Sequence, residues 1–98
     1  MNTKELKESL ELESGTLCWK ELEKHFARGV IRIVSLDTNM IDIAIDIAQD
    51  NSEKIANALA SQTLTEATDS QAKQWQQLNS VFRCVVIAPF VLIQENKT

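Results

Sequence analysis

The sequence has few of the residues that build catalytic, phosphate-binding and metal sites. Its 98 residues include two Gly, two Cys, one Pro, one His and no Tyr. Gly15 and Gly29 are far apart, so the chain has no Gly-rich loop of the kind that binds phosphate groups. A structural zinc site takes Cys and His ligands in closely spaced pairs, which this composition does not supply. We therefore expect no cofactor, no zinc site and no nucleotide chemistry.

The cysteine content excludes a disulfide framework. Cys18 and Cys84 each have apolar neighbours, which favours free, buried thiols. The sequence leaves open whether a single disulfide joins Cys18 and Cys84, because it does not give their distance apart. His25 follows Cys18 by seven positions. We expect no nucleophilic Cys–His site there, because a cysteine in apolar surroundings is usually inert.

Long apolar segments are also absent. The longest apolar run, Cys84 to Ile93, has ten residues with Pro89 inside it, about half the length of a membrane span. Residues 1–13 alternate Lys and Glu around isolated Leu residues and lack the apolar core of a signal peptide. These features predict a soluble, cytoplasmic protein without a membrane segment.

Acidic residues dominate the middle of the chain. The net charge of the whole chain is −4. Between Ile33 and Ala72, Lys54 is the one basic residue against seven acidic ones, a net of −6 for this segment. A nucleic-acid-binding surface must neutralise several phosphates, and this segment would repel them. The charge distribution therefore favours a protein partner over nucleic acid.

The apolar periodicity predicts an N-terminal helical extension over residues 1–14 and a single globular α+β domain over residues 15–98. Gly15 breaks the first helix, and Thr16 is expected to cap the second. The elements expected after that cap are a helix to about Phe26, a strand at 30–34, helices at 39–49 and 52–61, a short strand at 63–65, a helix capped by Thr68, and a β segment at 81–93 interrupted by Pro89.

The segment from Met40 to Asp50 fits two periodicities. Its Ile residues alternate with Asp and Ala, as in a strand. On a helix, Asp42, Asp46 and Asp50 share one narrow arc and the apolar residues fall outside it. We expect the helix, because eleven residues is long for a strand.

The order of these elements is typical of a winged helix-turn-helix with an insertion. The helices at 39–49 and 52–61 would form the helix-turn-helix pair. We therefore expect an α+β, winged helix-turn-helix-like small domain with additional helices and a small antiparallel sheet.

Several short motifs resemble a bacterial family. They are Trp19-x-x-Leu22 leading into Phe26-Ala27-x-Gly29, Asp50 in the mid-chain turn, and Val86-x-Ala88-Pro89-Phe90-Val91-Leu92-x-Gln94-Glu95. The family is catalogued as domain of unknown function 2288, and the resemblance runs from about Leu17 to Glu95. Its members usually carry Trp at the position of Phe90. The resemblance implies a free-standing bacterial cytoplasmic protein, and it transfers no activity and no site residues.

Two features are candidates for an interaction surface. The first is the acidic stripe of Asp42, Asp46 and Asp50. Its carboxylates lie in a line rather than converging, which favours a solvated face over a cation site. The second is the stretch containing Phe90 and Leu92. As a strand, this stretch would be apolar on both of its faces, which indicates a central strand or a strand covered by a partner.

We expect an acidic protein-interaction module, regulatory in role and without catalytic activity. Its partner would be an unidentified protein, or a second copy bound through the C-terminal strand as a homodimer. The alternative is a nucleic-acid-binding regulator of winged-helix type. The further alternative is a small metal-binding or enzymatic domain.

Overall fold

The computed structural model of the chain describes residues 3–87 and 89–95. These residues form five helices and five strands. In chain order they are α1 (Thr3–Glu13), β1 (Gly15–Cys18), α2 (Trp19–Ala27), β2 (Ile31–Val34), α3 (Met40–Ala48), α4 (Ser52–Ala60), β3 (Leu64–Glu66), α5 (Asp69–Leu78), β4 (Val81–Ile87) and β5 (Phe90–Glu95). Within the described part of the chain, no helix combines the length and the apolar character that crossing a membrane requires.

The strands form one five-stranded sheet in the order β1-β4-β5-β2-β3. Most neighbours are antiparallel, but β2 and β5 are parallel. The α+β class is therefore confirmed, whereas the expected small antiparallel sheet is wrong: the sheet is mixed and contains half of the elements. Pro89 lies in the turn between β4 and β5, which confirms that it divides the long β segment.

Both faces of the sheet are covered by helices. Helices α1, α3 and α4 pack on one side, which we call the α3 face. Helices α2 and α5 pack on the other, which we call the aromatic face because Trp19, Trp75 and Phe82 meet there with ring centroids 4.9–6.2 Å apart. Strand β5 alternates between the two faces. Leu92 belongs to the α3 face, and Val91 and Ile93 belong to the aromatic face.

Helix α1, expected as an extension over residues 1–14, packs on the domain core. Leu10 is only 3% exposed and joins the cluster on the α3 face, with Leu6 packed beside it. The thin apolar stripe of this helix is enough to hold it on the core, because α3 and β4 supply the opposing surface. Helix α1 therefore contributes Leu10 and Leu6 to the core on the α3 face.

The ambiguous segment is a helix. In α3, Met40, Ile41, Ile43, Ala44 and Ile45 are all buried. The Asn39 side chain caps the helix by accepting a hydrogen bond from the Ile41 N–H at 2.9 Å. The isoleucines that alternate along the sequence therefore fill one broad helical face instead of one side of a strand.

Strand β1 was not expected from the sequence. Residues 15–18 pair antiparallel with β4, and the cap of α2 is Cys18 rather than Thr16. Four residues are too few to show an alternating pattern, and Leu17 and Cys18 also fit the apolar face of the helix that follows.

The sheet register answers the disulfide question. Cys18 pairs with Val81, and Gly15 pairs with Cys84. The two cysteines are therefore separated by three positions along the ladder, or about 10 Å at the usual rise of a strand. A disulfide needs Cα atoms within about 7 Å, and both thiols are free.

Gln94 fixes the loop that leads into α3. Its side chain is buried at 8% exposure, and Nε2 donates to the carbonyl oxygens of Ser35 and Thr38, each at 2.7 Å. The C-terminal strand thereby holds the loop between β2 and α3, with both carbonyls satisfied.

Replacing Gln94 by Met should destabilise the protein by about 1–3 kcal/mol, because the Thr38 carbonyl loses the Gln94 donor and the Ser35 carbonyl keeps only the Thr38 N–H, while the volume is nearly kept. Urea unfolding followed by circular dichroism measures this change. Gln77→Met, on the exposed side of α5, is the matched control and should leave the midpoint unchanged. Equal stability of the two variants would show that the paired hydrogen bonds do not hold the loop.

Candidate interaction groove

Helix α4 leaves much of its apolar side outside the core. The sequence predicts that Ile55 and Leu59 are buried together with the Ala residues of this helix. In the structure Ala58 is buried, Ile55 is half-buried and Leu59 is 49% exposed. The sheet offers little surface here, because α4 packs on β3, a three-residue strand at the sheet edge.

The uncovered side of α4 forms one wall of an open groove of about 370 Å³. We call it the α4 groove. Its apolar lining is Ile47, Ile55, Leu59, Leu64, Pro89 and Phe90, and its charged lining is Arg32, Asp50 and Glu66. This size is within the range of ligand pockets, roughly 300–1,000 Å³.

Arg32 forms the polar floor of the groove. Its guanidinium carbon lies 4.9 Å from the centre of the Phe90 ring, and Nη1 donates to the carbonyls of Ile31 at 2.9 Å and Gly29 at 3.1 Å. Nη2 lies 3.4 Å from Glu66 Oε1. The Arg32 side chain is 20% exposed, whereas that of Glu66 is 75% exposed. The cation is therefore held by several partners, while the carboxylate stays accessible to solvent.

Asp50 reaches the rim of the groove by leaving the helix. The sequence predicts that it continues the stripe of Asp42 and Asp46, and this prediction is wrong because α3 ends at Ala48. Asp50 instead has a left-handed backbone, with φ of 53°, and its N–H donates to the Ile47 carbonyl at 3.0 Å. Aspartate tolerates this conformation better than most residues.

The other predicted surface residues lie in three different environments. Asp42 is exposed on the first turn of α3. Asp46 lies 3.9 Å from Lys54 Nζ, at the crossing of α3 and α4. Leu92 is fully buried, so it is a core residue and forms no surface; it lies on a central strand covered on both faces. The structure brings together only Asp50 and Phe90, both of which line the groove.

Sequence reasoning did not place Arg32 or Glu66 at a common site. In the structure the Arg32–Glu66 ion pair joins β2 to β3. The missing information was the register, which sets Arg32 opposite Glu66. Glu66 follows a weakly patterned segment of three residues, from which no register could be read.

The described carboxylates are not grouped as metal ligands, and one of the two thiols is held in its protonated form. Among residues 3–87 and 89–95, no three His, Cys, Asp or Glu side chains are grouped closely enough to hold a metal ion. Burial, with a smaller contribution from Glu21, raises the pKa of the Cys84 thiol above its usual value. A thiol that stays protonated is a poor nucleophile.

The chain is similar to proteins of one family along almost its whole length. The model of that family, described as a protein of unknown function (DUF2288), matches residues 5–95. The solution NMR structure of PA1075 from Pseudomonas aeruginosa is 31% identical, covers 99% of this chain and 90% of that one, and superposes with a TM-score of 0.82. No curated protein sequence matches the chain. The protein is a small mixed-sheet α+β domain, and it belongs to the DUF2288 family.

The substitution Asp50→Gly should raise the free energy of unfolding by up to about 1 kcal/mol, because it removes the cost of a side chain in a left-handed turn. Gln62→Gly is the matched control, since Gln62 has φ of 62° and does not line the groove. Both variants should shift the thermal midpoint upward. Destabilisation by Asp50→Gly alone would show that the carboxylate makes a stabilising contact.

Under native conditions Cys18 should react with a thiol reagent well before Cys84. Cys18 is half-buried, whereas Cys84 is 5% exposed and its pKa is raised. Absorbance measurements on Cys18→Ser and Cys84→Ser variants assign the two rates, and unfolding in urea should equalise them. Comparable native rates would contradict the burial of Cys84, and a spontaneous disulfide between Cys18 and Cys84 would contradict the register of β1 and β4.

Proposed function

We propose that this protein is a non-catalytic, acidic protein-interaction module that binds a protein partner in the α4 groove. The observation that carries the proposal is the groove itself. Ile55 and Leu59 are apolar residues of a packed helix, yet they face an open cleft whose rim carries the carboxylates of Asp50 and Glu66. Exposed apolar surface rimmed by charged residues is typical of recognition sites.

The charges of this region specify the kind of partner. Arg32 is engaged by two carbonyls, the Phe90 ring and Glu66. Lys54 lies within ion-pairing distance of Asp46. The accessible charge at the groove is therefore acidic, and complementarity favours a partner segment with basic side chains around an apolar one.

Nucleic acid is the alternative partner, because α3 and α4 follow each other closely, as in the helix pair of a winged-helix protein. The charge argues against it. In that arrangement α4 would be the recognition helix, and its one basic residue, Lys54, faces Asp46. The neighbouring carboxylates would repel phosphates.

A homodimer through the C-terminal strand, which the sequence suggested, does not fit this sheet. Strand β5 is paired with β4 on one side and with β2 on the other, so it has no free edge for a second copy. We propose a regulatory role in the bacterial cytoplasm, with the partner bound through side chains of the groove.

The decisive variant is Leu59→Asp, which introduces a charge into the apolar wall of the groove. Leu78→Asp is the matched control, because Leu78 is 67% exposed on α5, at the opposite face of the sheet. Tagged wild-type and variant proteins capture partners from nuclease-treated bacterial lysate, and the bound proteins are quantified by mass spectrometry. The expected result is one stoichiometric partner that Leu59→Asp loses by about tenfold or more and that Leu78→Asp retains.

The captured protein is then purified and mixed with the module to measure direct binding by calorimetry. Circular dichroism verifies that both variants fold. A partner that both variants bind equally well would show that the binding site lies outside the groove. Recovery of the bait alone, or association with duplex DNA at low salt that falls steeply as salt is added, would overturn the proposal in favour of its alternatives.

A further inference from the structure

We infer that the α4 groove takes up one arginine or lysine side chain of the protein partner. The aliphatic stem of that side chain lies on the apolar wall of the groove, and its cation lies between the carboxylates of Asp50 and Glu66. This inference rests on the proposed function and names the side chain that makes the central contact.

The groove opens between two layers of the structure, and each layer supplies one carboxylate. Asp50 belongs to the turn between α3 and α4, in the helix layer. Glu66 belongs to β3, in the sheet. Both residues line the same cavity of about 370 Å³. A cation that enters the groove therefore meets negative charge from the helix layer and from the sheet.

Both carboxylates are available to a ligand. Asp50 is exposed, and within residues 3–87 and 89–95 its side chain has no hydrogen bond or ion pair. Glu66 is 75% exposed, and Arg32 contacts one of its oxygens, Oε1, at 3.4 Å. The second oxygen of Glu66 can therefore accept a hydrogen bond from another donor while the pair with Arg32 is kept.

Arg32 does not neutralise the groove. Its guanidinium is engaged by two backbone carbonyls and by the Phe90 ring, and its charge offsets one of the two carboxylates. The lining therefore keeps one negative charge in excess. One cationic side chain balances that charge, whereas an anionic one would be repelled.

The apolar lining fits the stem of the same side chain. Ile47, Ile55 and Phe90 line the groove and are half-buried. Arginine and lysine place their methylene stems along apolar surface while the charged head contacts polar groups. A purely apolar side chain would instead take Asp50 and Glu66 out of water without a partner, which is unfavourable. An apolar neighbour in the partner segment would cover Leu59, which is 49% exposed.

Selection from a random peptide library displayed on phage tests the cationic anchor without requiring the natural partner. The expected result is enrichment of peptides that share one Arg or Lys. The best peptide is then synthesised with arginine at that position and, for comparison, with citrulline, which keeps the shape and loses the charge. Calorimetry should show that citrulline weakens binding by about tenfold or more.

A double variant locates the anchor in the groove. Asp50→Asn with Glu66→Gln should abolish the difference between the two peptides, and asparagine also tolerates the left-handed backbone at position 50. Asp42→Asn with Glu53→Gln is the matched control, because it removes two exposed carboxylates outside the groove lining and changes the net charge equally. This control should keep the full difference.

Three results would overturn the inference. The first is selection that enriches no peptide, or peptides without a shared basic residue. The second is a citrulline peptide that binds as tightly as the arginine peptide. The third is an equal loss of the difference in both double variants, which would show that the net charge of the protein selects the cation and the groove does not.

The outcomes also separate this inference from the function on which it rests. If the lysate partner is lost in Leu59→Asp but retained in the Asp50→Asn, Glu66→Gln variant, the groove binds protein through apolar contacts and only the cationic anchor fails. If both variants lose the partner, both proposals are supported. If neither variant loses it, the binding site lies elsewhere and both fail.

Discussion

The structure depends on the burial of one strand on both of its faces. Leu92 faces helices α1, α3 and α4, while Val91 and Ile93 face the aromatic side. All three are at most 3% exposed, and the strand that carries them is paired on both edges. Because neither face contacts water, the segment can be continuously apolar without exposing surface. The helices on the two sides are in turn held to one sheet, and the Gln94 side chain ties the α3 loop to the same strand.

The sequence predicted the helices better than the sheet, for a physical reason. Helices α3 and α5 carry their information locally, in apolar spacing and in caps such as the Thr68–Gln71 box, which the structure confirms. The parallel pairing of β2 with β5 joins segments about sixty residues apart, and nothing local specifies it. Strand β1 was missed because its four residues carry no period that distinguishes them from the helix that follows.

The candidate groove shows the same division between local and long-range information. That Ile55 and Leu59 share one side of a helix could be read from their spacing, but whether that side is buried depends on how far the sheet extends beneath it. Asp50 was assigned to the correct region and the wrong element, because a helix end without Gly or Pro gives little signal. Phe90 and Leu92, only two residues apart on one face, differ in exposure because one lies at the end of the strand and the other at its middle.

The position of β5 also governs how the chain can be assembled during synthesis. Strands β1 and β4 form one half of the sheet, β2 and β3 form the other, and β5 is the only strand that pairs with both halves. It is the last of the described strands to leave the ribosome. Until residues 90–95 are free, the edge of β2 that will pair with β5 stays open, and the helices on each face have no continuous surface to pack on. Pairing of this one strand therefore joins the two halves of the sheet and completes the surface on which both helix layers pack.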